Sequence, residues 1–125
     1  MTEAGLGSRS AVFPNTIIVY QRQDGTANTL QQWTFYHTGR ILAVDGTEWQ
    51  SPAERIKPLF SLVEALDYWG LKDTYAPTDA CSGCQAHIIT VYREGKIKKV
   101  VVTQGVELPS NLQRALDEIG SLIAK

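Results

Sequence analysis

The tightest constraint on this chain is the stretch from Gln85 to Thr103, two runs rich in Ile, Val, Thr and Tyr separated only by Glu94-Gly95. A two-residue connection containing glycine joins neighbouring antiparallel strands, because the tight turn needs positive φ. The spacing therefore predicts a β-hairpin with strands over 85–93 and 96–103. His87 alternates in phase with Ile89 and Val91, which aims it toward the mouth of the core, where each buried ring nitrogen needs a partner. In the second run Lys98, Val100 and Val102 oppose the phase of Ile97, Lys99 and Val101. That strand is expected to bulge or to bury apolar groups on both faces.

The earlier part of the chain repeats the pattern. Thr16 to Gln21, with Ile17, Ile18, Val19 and Tyr20, is an apolar run of strand length, and Asp24-Gly25 marks a turn after it. Gln32 to Tyr36 alternates, with Trp33 and Phe35 on one face and Gln32, Thr34 and Tyr36 on the other. Thr38-Gly39 then turns into Arg40 to Val44, Asp45-Gly46 ends that run, and Trp49 falls in a short extended exit.

Two helices follow from local signals. Ser51-Pro52-Ala53-Glu54 offers an N-cap serine, proline at the first helical position and a capping-box glutamate. Ile56, Leu59, Phe60, Val63 and Leu66 keep helical spacing, and Gly70-Leu71 resembles a glycine stop. Pro58 interrupts the pattern and predicts a kink, or a restart near that residue. Leu71 to Cys84 reads as a long irregular connection. Pro109-Ser110-Asn111 opens a last helix with Leu112, Ala115, Leu116, Ile119 and Ile123 on one stripe.

The order is β-β-β-α-β-β-α. Short hairpin links make neighbouring strands antiparallel, and two amphipathic helices cover one broad face. The fold class expected is α+β: a two-layer sandwich, an antiparallel sheet of about five strands with two helices on one face. Trp33, Phe35, Ile89 and Val91 are the expected sheet side of the core, facing Phe60, Val63, Leu66, Leu116 and Ile119. A chain of 125 residues, 43% hydrophobic, suits one domain over 16–125 after a disordered tail over 1–15.

Charge narrows the function classes. With 12 Lys+Arg against 13 Asp+Glu the formal net charge is -1, so no overall field recruits nucleic acid. Arg93, Lys96, Lys98 and Lys99 crowd the hairpin tip, but aromatic interleaving is limited to Tyr92, and basic edge residues also block sheet-to-sheet aggregation. No run reaches the roughly 18 apolar residues of a membrane span. Met1 to Ser10 carry no apolar signal-peptide core, so the chain as written is expected in the cytoplasm, and outside it if 1–15 is a trimmed linker.

Cys81 and Cys84, two residues apart, suit a structural disulfide or paired buried thiols, half of a zinc site, or a redox pair. The pair precedes a strand rather than an activating helix, and His37 and His87 are the sole imidazoles, so the structural role is favoured. No cofactor or metal is expected, and no Ser or Cys nucleophile lies beside either histidine with an orienting carboxylate. The other candidate is the small polar loop after the first strand, in which Asp24, Gly25, Thr26, Ala27 and Asn28 can present backbone donors and acceptors to a partner. The two loops fall in different halves of the chain.

A first strand ending in a small polar loop, a helix closing on Trp69-Gly70-Leu71 and Tyr75 in the next loop resemble emfourin, the proteinaceous inhibitor of thermolysin-like metalloproteases. Uncharacterised bacterial envelope lipoprotein domains are similar to it. The resemblance spans roughly Thr16 to Ala124 in element order and implies fold more than function. The family's first loop looks like Ser-Gly-Gly-Phe-Ala-Gly. Here Gln23 to Asn28 retains Gly25 and Ala27, with Gln23, Asp24, Thr26 and Asn28 at the other places. Cysteines ahead of the fourth strand in some relatives imply a structural role for Cys81 and Cys84. The expectation is a non-enzymatic protein-binding domain, its partner a protein such as a metalloprotease; the competing expectations are a small redox or metal protein using Cys81 and Cys84, and a structural envelope domain.

Overall fold

The first strand of the chain occupies the middle of its sheet. The computed structural model describes residues 16–24, 29–65, 70–77 and 83–124. Its elements are β1 (Ile17–Asp24), β2 (Thr29–Tyr36), β3 (Arg40–Ala43), β4 (Glu48–Gln50), α1 (Ala53–Ala65), β5 (Thr74–Tyr75), β6 (Ala86–Arg93), β7 (Lys96–Thr103) and α2 (Ser110–Ile123). The sheet order is β4-β3-β2-β1-β6-β7-β5. β1 therefore pairs with β2 on one side and, across a long sequence separation, with β6 on the other.

The expected five-stranded antiparallel sheet is corrected to a mixed, seven-stranded one. The Trp49 segment is a three-residue edge strand, β4, paired with β3. The stretch read as irregular, Leu71 to Cys84, contains β5, whose two residues pair parallel to β7 at the other edge. Strands of two or three residues show no alternation to read, and backbone pairing alone defines them. The hairpin over 86–93 and 96–103 stands, with Glu94 (φ 50°) and Gly95 (φ 82°) both in the left-handed turn conformation.

Antiparallel partners share a face, so the register lines up Phe35, Ile18 and Val91, and in the next row Trp33, Tyr20, Ile89 and Val100. These rows lie against α1 and α2: Ile56, Leu59, Phe60 and Val63 from the first helix and Leu112, Ala115, Ile119 and Leu122 from the second share one buried cluster with them. Of the expected core residues, Phe35, Ile89, Val91, Phe60, Val63 and Ile119 are buried. Trp33 and Leu116 pack partly buried against them, and Leu66 lies outside the described residues. The last strand does not bulge. Val100 and Val102 are buried on the helix side, whereas Ile97, on the opposite face, is 65% exposed.

Pro58 does not break α1, which runs as one helix from Ala53 to Ala65 with the proline on its exposed side. The Ser51 hydroxyl lies 3.4 Å from the Pro52 carbonyl, on the cap's own turn. Arg55 reaches across to the Ser121 hydroxyl at 2.9 Å and ties α1 to α2. Among the described residues no helix is long and apolar enough to cross a membrane.

Candidate functional site

Pairing of β1 with β6 sets Arg22 opposite His87 and Gln23 opposite Ala86. The exit of β1, carrying Asp24, and the entry to β6, preceded by Cys84 and Gln85, therefore sit at the same end of adjacent strands. The described ends of the two loops, far apart in the sequence, share one corner of the sheet. Gly25, Thr26, Ala27 and Asn28 lie outside the described residues, as does Cys81. The expected Cys81–Cys84 disulfide is accordingly not a feature of the described structure. Cys84 is partly buried, and there is no free thiol among the described residues. Gln85 and Gln104 brace this corner, the Gln104 amide donating to the Gln85 carbonyl and the Gln85 amide to Gln104 Oε1, 2.9 and 3.0 Å.

Three aromatic rings stack along the helix-facing side of the same end. Trp33 and Tyr20 lie 5.6 Å apart between ring centres at 21°, and Tyr20 and His87 5.8 Å apart at 17°. Tyr20 sits between them because β1 lies between β2 and β6, and its hydroxyl is 2.6 Å from His87 Nδ1. The Arg22 guanidinium stands 5.2 Å over the Trp33 ring and donates twice to Gln31 Oε1, at 3.1 and 2.8 Å. Burial raises the Tyr20 pKa, with Arg22 opposing. Burial also lowers that of His87, and the Arg22 charge pushes the same way. Burial therefore favours the neutral form of both groups, and a neutral ring whose Nδ1 accepts from the phenol carries its proton on Nε2.

Beside this stack a cleft of about 350 Å³ opens between the sheet and α2, with Tyr20, Arg22 and His87 on the sheet side and Gln113, Asp117 and Gly120 on the helix side. Val102, Leu108, Leu116 and Ile123 give it an apolar lining. The lining is thus divided about evenly between polar and apolar groups, and a concavity in which polar groups converge beside an apolar wall can orient a ligand. Within this lining the His87 imidazole is held by the Tyr20 phenol. The phase of His87 was legible in the sequence. Tyr20 and Arg22 were not, because the continuous apolar run Ile17 to Tyr20 shows no phase.

Other sequence candidates are dispersed. His37 is exposed beside its turn. At the basic tip Lys98 is tied to Asp73 at 2.8 Å and Arg93 approaches Glu94 at 3.8 Å, which leaves little concentrated positive field. Among the described residues no three His, Cys, Asp or Glu side chains gather as a metal site requires. Gly70, Leu71 and Tyr75 are described, with Leu71 and Tyr75 packed against the core, while Trp69 lies outside the described residues.

No family model matches this chain, and no curated protein matches it.

Proposed function

We propose that the chain is a non-enzymatic protein-binding domain whose partner meets the loop of Asp24, Gly25, Thr26, Ala27 and Asn28, and that an inhibitory complex with a thermolysin-like metalloprotease is the partner class to try first. One observation carries this reading. β1 is hydrogen-bonded on both sides up to the point where the loop leaves it, Gln23 facing Leu30 on β2 and Ala86 on β6, and Asp24 facing Thr29. Asp24 and Thr29, from which the loop leaves, are thus held in the sheet, and loop ends fixed in advance lower the ordering cost of docking. The Cys81–Cys84 disulfide belongs to the same reading, as a clamp on the neighbouring loop of that corner.

The test is hydrolysis of a peptide substrate by a thermolysin-like protease with this chain in excess, beside a variant in which Gln23 to Thr29 is replaced by Gly and Ser. The reading expects slowed hydrolysis with the native chain and normal rates with the variant. Unchanged rates with both remove the inhibitory role. A set of captured partners that survives the loop replacement removes the loop.

A further inference from the structure

The cleft between α2 and the ends of β1, β6 and β7 lies on the helix-covered side of the sheet, and its lining joins charged and apolar groups. We propose that it binds a monocarboxylate with an apolar body, the carboxylate meeting Arg22 and His87 and the body lying on Val102, Leu116 and Ile123. Three observations converge.

The first is the donor pair. Arg22 and His87 face each other in register on β1 and β6, and both line the cleft. Arg22 Nε and Nη2 donate to Gln31, so the guanidinium is already oriented and has further N–H groups to give. The Tyr20 hydroxyl occupies Nδ1 of His87 and leaves Nε2 for a ligand, as an N–H donor in the tautomer whose Nδ1 accepts from the phenol. A guanidinium beside a fixed N–H donor matches the two oxygens of a carboxylate.

The second is Gly120, which lines the helix wall in the last turns of α2. A glycine inside a helix costs about 1 kcal/mol relative to alanine. The usual structural reason, a close neighbour, is absent: a Cβ at this position would meet nothing within 4 Å. The glycine keeps space clear along the helix backbone, where the apolar body of a ligand would lie. The third is Asp117 on that same wall, held by the Gln113 amide at 3.1 Å. Its carboxylate repels a second anionic group and so restricts the site to ligands with a single negative charge.

The probe is 4-phenylbutanoate against its uncharged analogue 4-phenylbutanamide, followed by the backbone amide signals of the full chain in NMR titrations. A short peptide ending in phenylalanine, with a free or an amidated C-terminus, forms a second pair. Expected are saturable shifts over 102–108 and 113–123, with the amides binding about tenfold or more weakly, as for loss of a hydrogen bond to a charged group. Binding by the small acid assigns a free carboxylate as the ligand source. Binding by the peptide acid alone assigns a chain terminus. Arg22→Gln should weaken the acid by a similar factor. Gly120→Leu should abolish binding while signals from the outer sheet face, such as Ile88 and Thr90, stay in place. Equal binding of acid and amide, indifference to either substitution, or no shift at millimolar acid overturns the proposal.

Discussion

The Tyr20 hydroxyl and the His87 ring nitrogen meet at 2.6 Å although 67 residues separate them in the chain. The contact forms because β1 and β6 are neighbours in the sheet, and it gives the fold a pH signature. His87 is lowered from its usual 6.5 by burial and by Arg22, so between the two values the unfolded chain binds a proton that the folded chain does not. Its stabilising contribution is whole above 6.5 and falls as the pH drops below it. Tyr20 is raised from 10.0, so in alkali the unfolded chain ionises first and stability falls as the pH rises past 10. The charged and titratable groups around the imidazole are Arg22 and Tyr20 on β1 and Asp117 on α2, while β7 offers Val102. Urea midpoints against pH should show a plateau between these limits. His87→Gln should flatten the acid limb and leave the alkaline limb in place.

Ile17 and Ile18 are chemically identical and adjacent, yet they stand on opposite faces of β1. Ile18 is 0% exposed in the core, and Ile17 is half-buried on the side away from the helices. Ile18→Ala should cost about 2–5 kcal/mol by denaturant unfolding, the range for deleting fully buried aliphatic groups. Ile17→Ala should cost less than half as much. Equal costs would mean that the outer face of the sheet is covered.

Gly39 is required twice over, by its φ of 101° and by its neighbour, since a Cβ there would run into the Ser51 carbonyl oxygen. Its own carbonyl accepts from the Ser51 amide at 2.8 Å, so the backbone cannot move aside without losing that bond. Gly46 has a similar φ of 94° and open space. Gly46→Ala should cost only the strain of the left-handed conformation, about 1–2 kcal/mol. Gly39→Ala should cost about 3 kcal/mol or more. Thermal unfolding of the two variants measures the difference.

The clamp proposed for Cys81 and Cys84 has a simple count. Denatured without reductant, the protein should show no reactive thiol, and after reduction it should show both of the two cysteines in the sequence. Two reactive thiols before reduction would return the pair to a metal or redox role.

What the sequence made legible was local. The Glu94-Gly95 turn, the alternation of Trp33 and Phe35, and the Leu112 to Ile119 stripe each depend on residues within a few positions of one another, where turn chemistry and periodicity operate. The stack of Trp33, Tyr20 and His87 depends instead on which strand lies beside β1. Tyr20 closes a run of four apolar residues in which no phase stands out, so the pattern did not say which side it takes. β5 escaped notice because two residues next to Pro77 form a strand only when β7 is there to receive them. The two candidate loops looked unrelated for the same reason: their shared corner is a product of strand order.

A central first strand also sets the timing of synthesis. β1 leaves the ribosome early, but its β6 partner, opposite residues 17–23, comes from 86–92. Until those residues emerge, β1 has β2 on one side and a bare hydrogen-bonding edge on the other, and the pairing that completes the sheet has high contact order. Chains stalled before residue 93 should therefore be the form that aggregates or recruits chaperones.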